Sequence, residues 1–291
     1  IASDHNQLTM ELMKKVALKN DMVCPLGEKP FDGVNGSGKH NNWSLMTDTG
    51  INLFKPGKNP AKNFPFLIFL TAMIEALDRY GDILRMCVAS AGNDLRLGAN
   101  EAPPAIVSMY IGSELTQLYE SFAKGEEHIV TNATLDTGVA SLPVLARDNN
   151  DRNRTSPFAL TGNKFEFRMP GSSQSIAGSN IVLNTIAADI FMEYADRLEK
   201  ASDASAEAES IIKEQYTKHK RILFNGNNYC KEWVEEAERR GLPNLRTTVE
   251  ALDVYVSRKS LELFARHSVL SSTEIASRYE IKMGAYKKAI C

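Results

Sequence analysis

The stretch Asp32-Gly-Val-Asn-Gly-Ser-Gly-Lys-His-Asn-Asn-Trp-Ser44 gathers small, polar and titratable residues that could act on a charged ligand. Gly33, Gly38 and Lys39 fall where the phosphate-loop pattern G-x-x-x-x-G-K-[ST] places them, but His40 holds the Ser/Thr position. Such a loop sits between a buried strand and a helix whose first amides hold the phosphates. Here a polar, proline-bearing GEKPF precedes it, and NNWSLMTDTG follows with poor helix formers at a period of two. The spacing therefore predicts an extended segment after His40. His40, Asn42 and Ser44 would then share one face, and Asn41, Trp43 and Leu45 the other. Lys164-Phe-Glu-Phe-Arg168 follows the same logic, with Lys164, Glu166 and Arg168 opposite Phe165 and Phe167. Imidazole and carboxylate suit a divalent cation, Lys and Arg suit phosphate oxygens, and small polar groups orient a substrate. The same alternation is what half-exposed strands of an antiparallel sheet require, so these residues alone leave both readings open.

The elements that must position these residues can be read from periodicity. Leu8, Leu12 and Val16 predict an amphipathic helix over 6–19, and a short Met22-Val23-Cys24 segment separates it from the glycine-rich stretch. WSLMTD alternates as a strand does, and FKPGKNPAKN marks a loop. Helices are expected from about 65 to 90 and from about 112 to 123, where Leu115, Leu118, Tyr119 and Phe122 form one stripe. A strand begins at Phe165. From Asn180 onward long helices dominate, and Thr247 with Glu250, and Ser271 with Glu274, have capping-box spacing.

Composition excludes several function classes. The 291 residues suffice for one large domain or two modest ones, with 43% apolar content for a core. Thirty-four basic and thirty-six acidic residues, without a basic block, argue against nucleic acid as a partner. The most apolar run, FPFLIFLTAMI from Phe64, ends before Glu75 and falls short of the roughly eighteen residues a membrane helix needs. No membrane partner is expected. Cys24, Cys87, Cys230 and Cys291 lie far apart with no C-x-x-C pair, which reads as ordinary buried thiols and a cytoplasmic location. His5, His128, His219 and His267 belong to no motif and are read as structural. The chain opens at Ile1 without a methionine or signal pattern and stops at Cys291 inside a helical pattern, so a fragment is expected.

KPFDGVNGSGKHNNWSL, from Lys29 to Leu45, closely resembles the K-P-x(4,5)-N-G-S/A-G-x-H signature of glutamine synthetases, and its KHNNWS ending resembles the type III branch. LRLGANEAPPA (Leu95 to Ala105) resembles the segment around that family's glutamate flap. DRNRTSPFALTGNKFEFRMP (Asp151 to Pro170) resembles its arginine-rich segment ending in E-x-R. The likeness runs from about residue 6 to 200, and the remainder resembles the type III C-terminal region. It implies an α+β fold, a curved and largely antiparallel sheet packed with helices, followed by an α-helical extension. The expected domains are a partial catalytic domain over 1–200 and the extension over 201–291.

The resemblance also implies roles. His40 and Glu166 would coordinate Mg2+ or Mn2+ bridging the phosphates of ATP, the co-substrate. Asn35 and Gly36 would hold the amino acid. Arg96 and Arg168 would bind the glutamate carboxylate and its activated phosphate, and Arg154 would stabilise charge on the transferring phosphoryl group. Glu101 would sit on the closing flap and help accept a proton from ammonium. Asn42, Ser44 and Lys164 would line the nucleotide. The sequence departs from the family pattern in having Asn42 where histidine is common and no arginine near Ala159. The family's E-x(n)-Q-x-E metal segment and its N-terminal β-grasp domain have no counterpart in these residues. The implied function is ligation of ammonia to glutamate through γ-glutamyl phosphate, in a homo-oligomer, dodecameric by resemblance. The alternatives are a non-catalytic fragment that binds nucleotide or assembles with other subunits, and a γ-glutamyl ligase acting on an organic amine.

Overall fold

Phe64-Pro-Phe-Leu-Ile-Phe-Leu-Thr-Ala-Met-Ile begins a helix that is apolar on nearly every side, and such a helix must be buried. In the computed structural model, which describes residues 2–126, 134–135, 145–146 and 153–291, it is the centre of the molecule. This helix, α2 (Phe64–Cys87), follows α1 (Ala2–Lys19). Asn63 caps it by accepting from the Phe66 amide, and Pro65 sits in the first turn, where its missing N–H costs nothing. The helix bends at Tyr80 (φ −125°, ψ 18°). Gly81 follows, and a Cβ there would come within 3.3 Å of Val107.

Strand β1 (Asn41–Trp43) is followed after α2 by α3 (Ala91–Arg96), β2 (Met109–Tyr110) and α4 (Ser113–Lys124). A two-stranded antiparallel ribbon, β3 (Thr134–Leu135) with β4 (Leu145–Ala146), precedes β5 (Phe158–Thr161) and β6 (Lys164–Phe167). The main sheet has the order β1-β6-β5-β2, antiparallel except at β2–β5. Its apolar face buries Trp43, Phe158 and Phe165, joined by Phe54, with Phe165 edge-on to Phe54 at 4.9 Å and stacked on Phe158 at 4.8 Å. α5 (Ala177–Lys200) and α6 (Ala204–His219) pack along α2. Then α7 (Lys231–Arg239), α8 (Thr248–Leu252), α9 (Arg258–Arg266) and α10 (Ser272–Ile290) complete the helical C-terminal third. The architecture is the expected α+β, and both capping boxes form, at Thr247–Glu250 and Ser271–Glu274.

Several expectations are corrected. The strand expected over WSLMTD is regular only at Asn41–Trp43, because Thr47-Asp-Thr-Gly50 turns the chain back. There the Thr47 amide meets Ile51 O and Gly50 adopts φ 83°. The helix expected to reach 90 stops at Cys87, since Ser90 instead caps α3. Of the cysteines, all free, only Cys87 is buried. The α1 stripe is helical, yet Leu8, Leu12 and Val16 are more than half exposed. His128 lies outside the described residues.

His219 and His267 belong to buried ion networks. His219 Nδ1 lies 2.8 Å from Asp78, and His267 Nε2 lies 2.8 Å from Asp189. Asp189 also accepts from Tyr80 Oη (2.5 Å) and Arg266 Nη1 (2.6 Å), which ties α2, α5 and α9 together. Burial opposes ionisation of Asp189, but the hydrogen bonds from Tyr80, His267 and Arg266 outweigh it and hold the carboxyl below its ordinary range. Burial, then the Asp189 contact, pushes the Tyr80 hydroxyl up to about 12. A depressed carboxyl stabilises the fold above its unfolded pKa of about 3.9, and this is lost as pH falls through the lower folded value. Asp189→Asn is therefore expected to cost about 3 kcal/mol near neutral pH. Urea unfolding at a series of pH values should also show a shallower acid-side loss of stability in the variant than in the native protein.

Candidate functional site

Antiparallel pairing of β1 with β6 sets Asn42 opposite Glu166, Asn41 opposite Phe167 and Trp43 opposite Phe165. Asn41, Trp43, Phe165 and Phe167 are buried, so the period of two turns Asn42, Lys164 and Glu166 to the other face. His40, just before β1, and Arg168, just after β6, extend that face by one residue each. His40 Nδ1 lies 2.7 Å from Glu166 Oε1, and Arg168 Nη2 donates to Glu166 Oε2 at 2.6 Å. Burial opposes ionisation of Glu166, but Arg168 and then His40 outweigh it and hold the carboxyl below its usual range. The His40 side chain is half exposed, whereas that of Arg168 is 5% exposed. Ser44 lies at the far end, its hydroxyl donating to Asn163 O and accepting from Asn52.

The glycine-rich stretch does not wrap a helix N-terminus. Gly38 bridges Gly171, and the Lys39 amide donates to Pro170 O at 2.8 Å. Its glycines have a different cause. A Cβ at Gly36 would meet Arg96 Cγ at 2.8 Å, and one at Gly38 would collide with the Arg96 guanidinium. Arg96 fills the space beneath, donating to Arg168 O, Met169 O, Pro170 O and Asn93 Oδ1. At 4% exposure it is turned inward, and its hydrogen bonds brace the 168–170 backbone. Asn35 Nδ2 donates to Glu101 Oε2 at 2.7 Å, and Asn100 Nδ2 donates to Gly33 O. Glu101 adopts φ 53°, unusual without glycine and a mark of a tightly held turn. Arg154 is exposed, and its guanidinium has no ion-pair partner among the described residues.

Three further residues matter that the sequence patterns did not single out. Glu28 is 4% exposed and accepts from the Ser173 hydroxyl and amide. Gln174 donates to Val88 O and Ser90 Oγ while accepting from the Gly171 amide, and its carbonyl receives Lys39 Nζ. Tyr229 brings its hydroxyl to within 3.4 Å of Arg154 O. No spacing rule marks any of them, because each acts through a fold contact distant in sequence.

Among the described residues no three His, Cys, Asp or Glu side chains form a metal cage. A cation at His40 and Glu166 would have two protein donors, the arrangement suited to an ion that keeps waters and takes phosphate oxygens. A cavity of about 540 Å³ lies elsewhere, lined by Asp78, Asp82, Arg85, Arg221 and Lys259. Of these, Arg221 pairs with Asp78, Lys259 with Asp82 and Arg85 with Asp94. No described helix is long and apolar enough to cross a membrane.

Residues 1–81 match the family model described as "Glutamine synthetase, catalytic domain", and residues 207–291 match "Glutamine synthetase C-terminal domain". The chain is 49% identical over 299 residues to a glutamine synthetase of Butyrivibrio fibrisolvens, covering all of this chain and 42% of that protein. It is 48% identical over 294 residues to a type-3 glutamine synthetase of Dictyostelium discoideum, covering all of this chain and 40% of that protein. A glutamine synthetase of Bacteroides fragilis (strain YCH46) is 43% identical over 98% of the chain and 40% of its own length. The chain thus spans about two fifths of the length of these relatives.

Arg96 braces the backbone, whereas Arg154 is exposed and has no ion-pair partner among the described residues. Arg96→Met should lower stability by at least about 3 kcal/mol, because buried acceptors at 168–170 lose their donors. Arg154→Ala should stay within about 0.5 kcal/mol of the native protein. Urea unfolding of the two variants side by side tests this, and equal losses would refute it.

Proposed function

Because the chain belongs to the glutamine synthetase family, we propose that the full-length protein joins ammonia to L-glutamate at the expense of ATP, through γ-glutamyl phosphate. The observation that carries this reading is the contact chain His40–Glu166–Arg168 on one sheet face, together with the Asn35–Glu101 pair. The motif residues that could manage phosphate and carboxylate charge are thus neighbours in space.

Carboxylate and ammonia do not condense unaided, so the γ-carboxylate first attacks the terminal phosphate of ATP. That step brings anion against anion. His40 and Glu166 fit a divalent cation, Mg2+ or Mn2+, which when bound would supply charge neutralisation at the phosphate oxygens. Arg154, exposed and with no ion-pair partner among the described residues, can follow the transferring phosphoryl group, while Arg168, held against Glu166, adds positive charge behind it. Asn35 and Gly36 border the amino-acid side, and Asn42, Ser44 and Lys164 run along β1 and β6 toward the nucleotide. Glu101, beside Asn35, is assigned to the flap that excludes water from the acyl phosphate and takes a proton as ammonium becomes the attacking amine. Arg96 serves this site from beneath, as a brace.

The match at 207–291 supports a division near residue 200 between a catalytic domain and a helical extension. Similarity to a type-3 relative supports the type III branch. A cytoplasmic homo-oligomer, dodecameric by family likeness, completes the reading.

The test separates the two half-reactions in the full-length protein. Glu101→Ala should keep phosphoryl transfer better than amide synthesis, because only ammonia capture needs its carboxylate. His40→Ala and Glu166→Ala should each lower both about 100-fold or more. ATP cleavage and glutamine formation measured together decide it. Equal loss of both in Glu101→Ala would remove Glu101 from the ammonia step, and no glutamine from the native protein would overturn the reading.

A further inference from the structure

The helical C-terminal region meets the candidate site at the turn Asn225-Gly-Asn-Asn-Tyr229, between α6 and α7. The turn is anchored on both sides of β2. Asn225 Oδ1 accepts the Gly112 amide at 3.1 Å, and its Nδ2 donates to Thr116 Oγ1 at 2.8 Å. Asn228, 1% exposed, accepts from the fully buried Ser108 hydroxyl at 2.8 Å. Just upstream, the Phe224 amide donates to Met109 O, so the approach to the turn runs beside the strand.

This fixed turn grips the loop 153–156. Asn153 Nδ2 donates to Gly226 O at 2.7 Å and to Asn225 O at 3.2 Å. The Thr155 hydroxyl is the centre of the grip, donating to Asn153 Oδ1 at 2.6 Å and accepting from the Asn228 amide at 2.9 Å. Asn153 O and Ser156 O in turn accept from Arg168 Nη1 at 2.6 and 3.0 Å. An unbroken series of hydrogen bonds therefore runs from the turn through Asn153 to Arg168, Glu166 and His40. Arg154, whose guanidinium has no ion-pair partner among the described residues, is carried between two residues that are both held. The loop lies outside the main sheet, so it lacks a strand ladder to fix it, and the turn supplies what a ladder would.

We propose that the C-terminal turn 225–229 positions the arginine loop for phosphoryl transfer, with Thr155 as the positioning residue that joins the two. Thr155 touches no substrate in this scheme; it sets where Arg154 and Arg168 stand. The proposal rests on the glutamate–ammonia ligase reading and assigns the C-terminal domain a part in the site itself.

Thr155→Val keeps the shape and removes the hydroxyl, and Thr155→Ser keeps the hydroxyl. In the full-length protein, Thr155→Val should raise hydrogen–deuterium exchange across 153–157 and lower kcat about 10- to 100-fold, the effect of a displacement near 1 Å. The KM for glutamate should change less than kcat, and the melting temperature should remain near native. Thr155→Ser should recover both exchange and kcat. The proposal is overturned if Thr155→Val leaves kcat native, if kcat falls without increased exchange, if Thr155→Ser fails equally, or if Thr155→Val loses its fold. Native protein that forms no glutamine defeats the ligase reading and the proposal with it, whereas active native protein with an unaffected Thr155→Val variant defeats the positioning role alone.

Discussion

A buried guanidinium cannot shed its charge, so a protein that buries one must surround it with acceptors. Arg168 imposes that demand here. Its side chain is 5% exposed, and Nη1 and Nη2 donate to Glu166 and to the carbonyls of Asn153 and Ser156. Each acceptor is drawn from a different place: a strand face, and the two ends of a loop. Meeting the charge therefore fixes the strand, the loop and the carboxylate relative to one another. The ionised state of Glu166 follows from this arrangement, and His40, half exposed, is placed by its contact with Glu166.

A second buried arginine works from below. Arg96 binds the carbonyls of Arg168, Met169 and Pro170, so the backbone that carries one arginine is held by the other. The space it occupies explains the glycines at 36 and 38 better than any phosphate does. Side chains there would strike Arg96, and the stretch would lift away from the 168–171 backbone to which Gly38 and Lys39 are bonded. A glycine-rich sequence thus has two physical sources, close approach by a ligand or close approach by the protein's own side chain. Only the flanking strand and helix pattern tells them apart, and here that pattern favoured an extended segment.

What could be read from sequence was what local periodicity controls. The face shared by Lys164, Glu166 and Arg168, the stripe Leu118 and Tyr119, the capping boxes and the run after Phe64 all follow from periods of two or 3.6 and from cap chemistry. β5 escaped notice because SPFAL is short and opens on proline, although Gly162-Asn163 between it and Lys164 is a two-residue hairpin signal. The inward turn of Arg96 was not legible at all. Nothing in LRLGANE distinguishes a solvated arginine from one that ends among carbonyls more than seventy positions away. Family likeness assigns roles to residue types, and it carries no information on which of those side chains the fold spends on its own backbone, as it does Arg96.

That separation follows a gradient of burial. Behind the sheet, Trp43, Phe54, Phe158 and Phe165 form a closely packed aromatic floor that fixes the register of β1 on β6. One layer up, Arg96 and Arg168 spend their hydrogen bonds on carbonyls and a carboxylate. At the open surface, His40, Arg154 and Glu101 are exposed. Preorganisation requires this order, since a group free to meet a ligand can be accurately placed only if its neighbours have no freedom left. The C-terminal helices belong to the same logic. Asn225 and Asn228 are anchored around β2 before they reach the loop, so the loop inherits its position from the same sheet that positions His40 and Glu166. Two sides of the candidate site are thereby referred to one sheet.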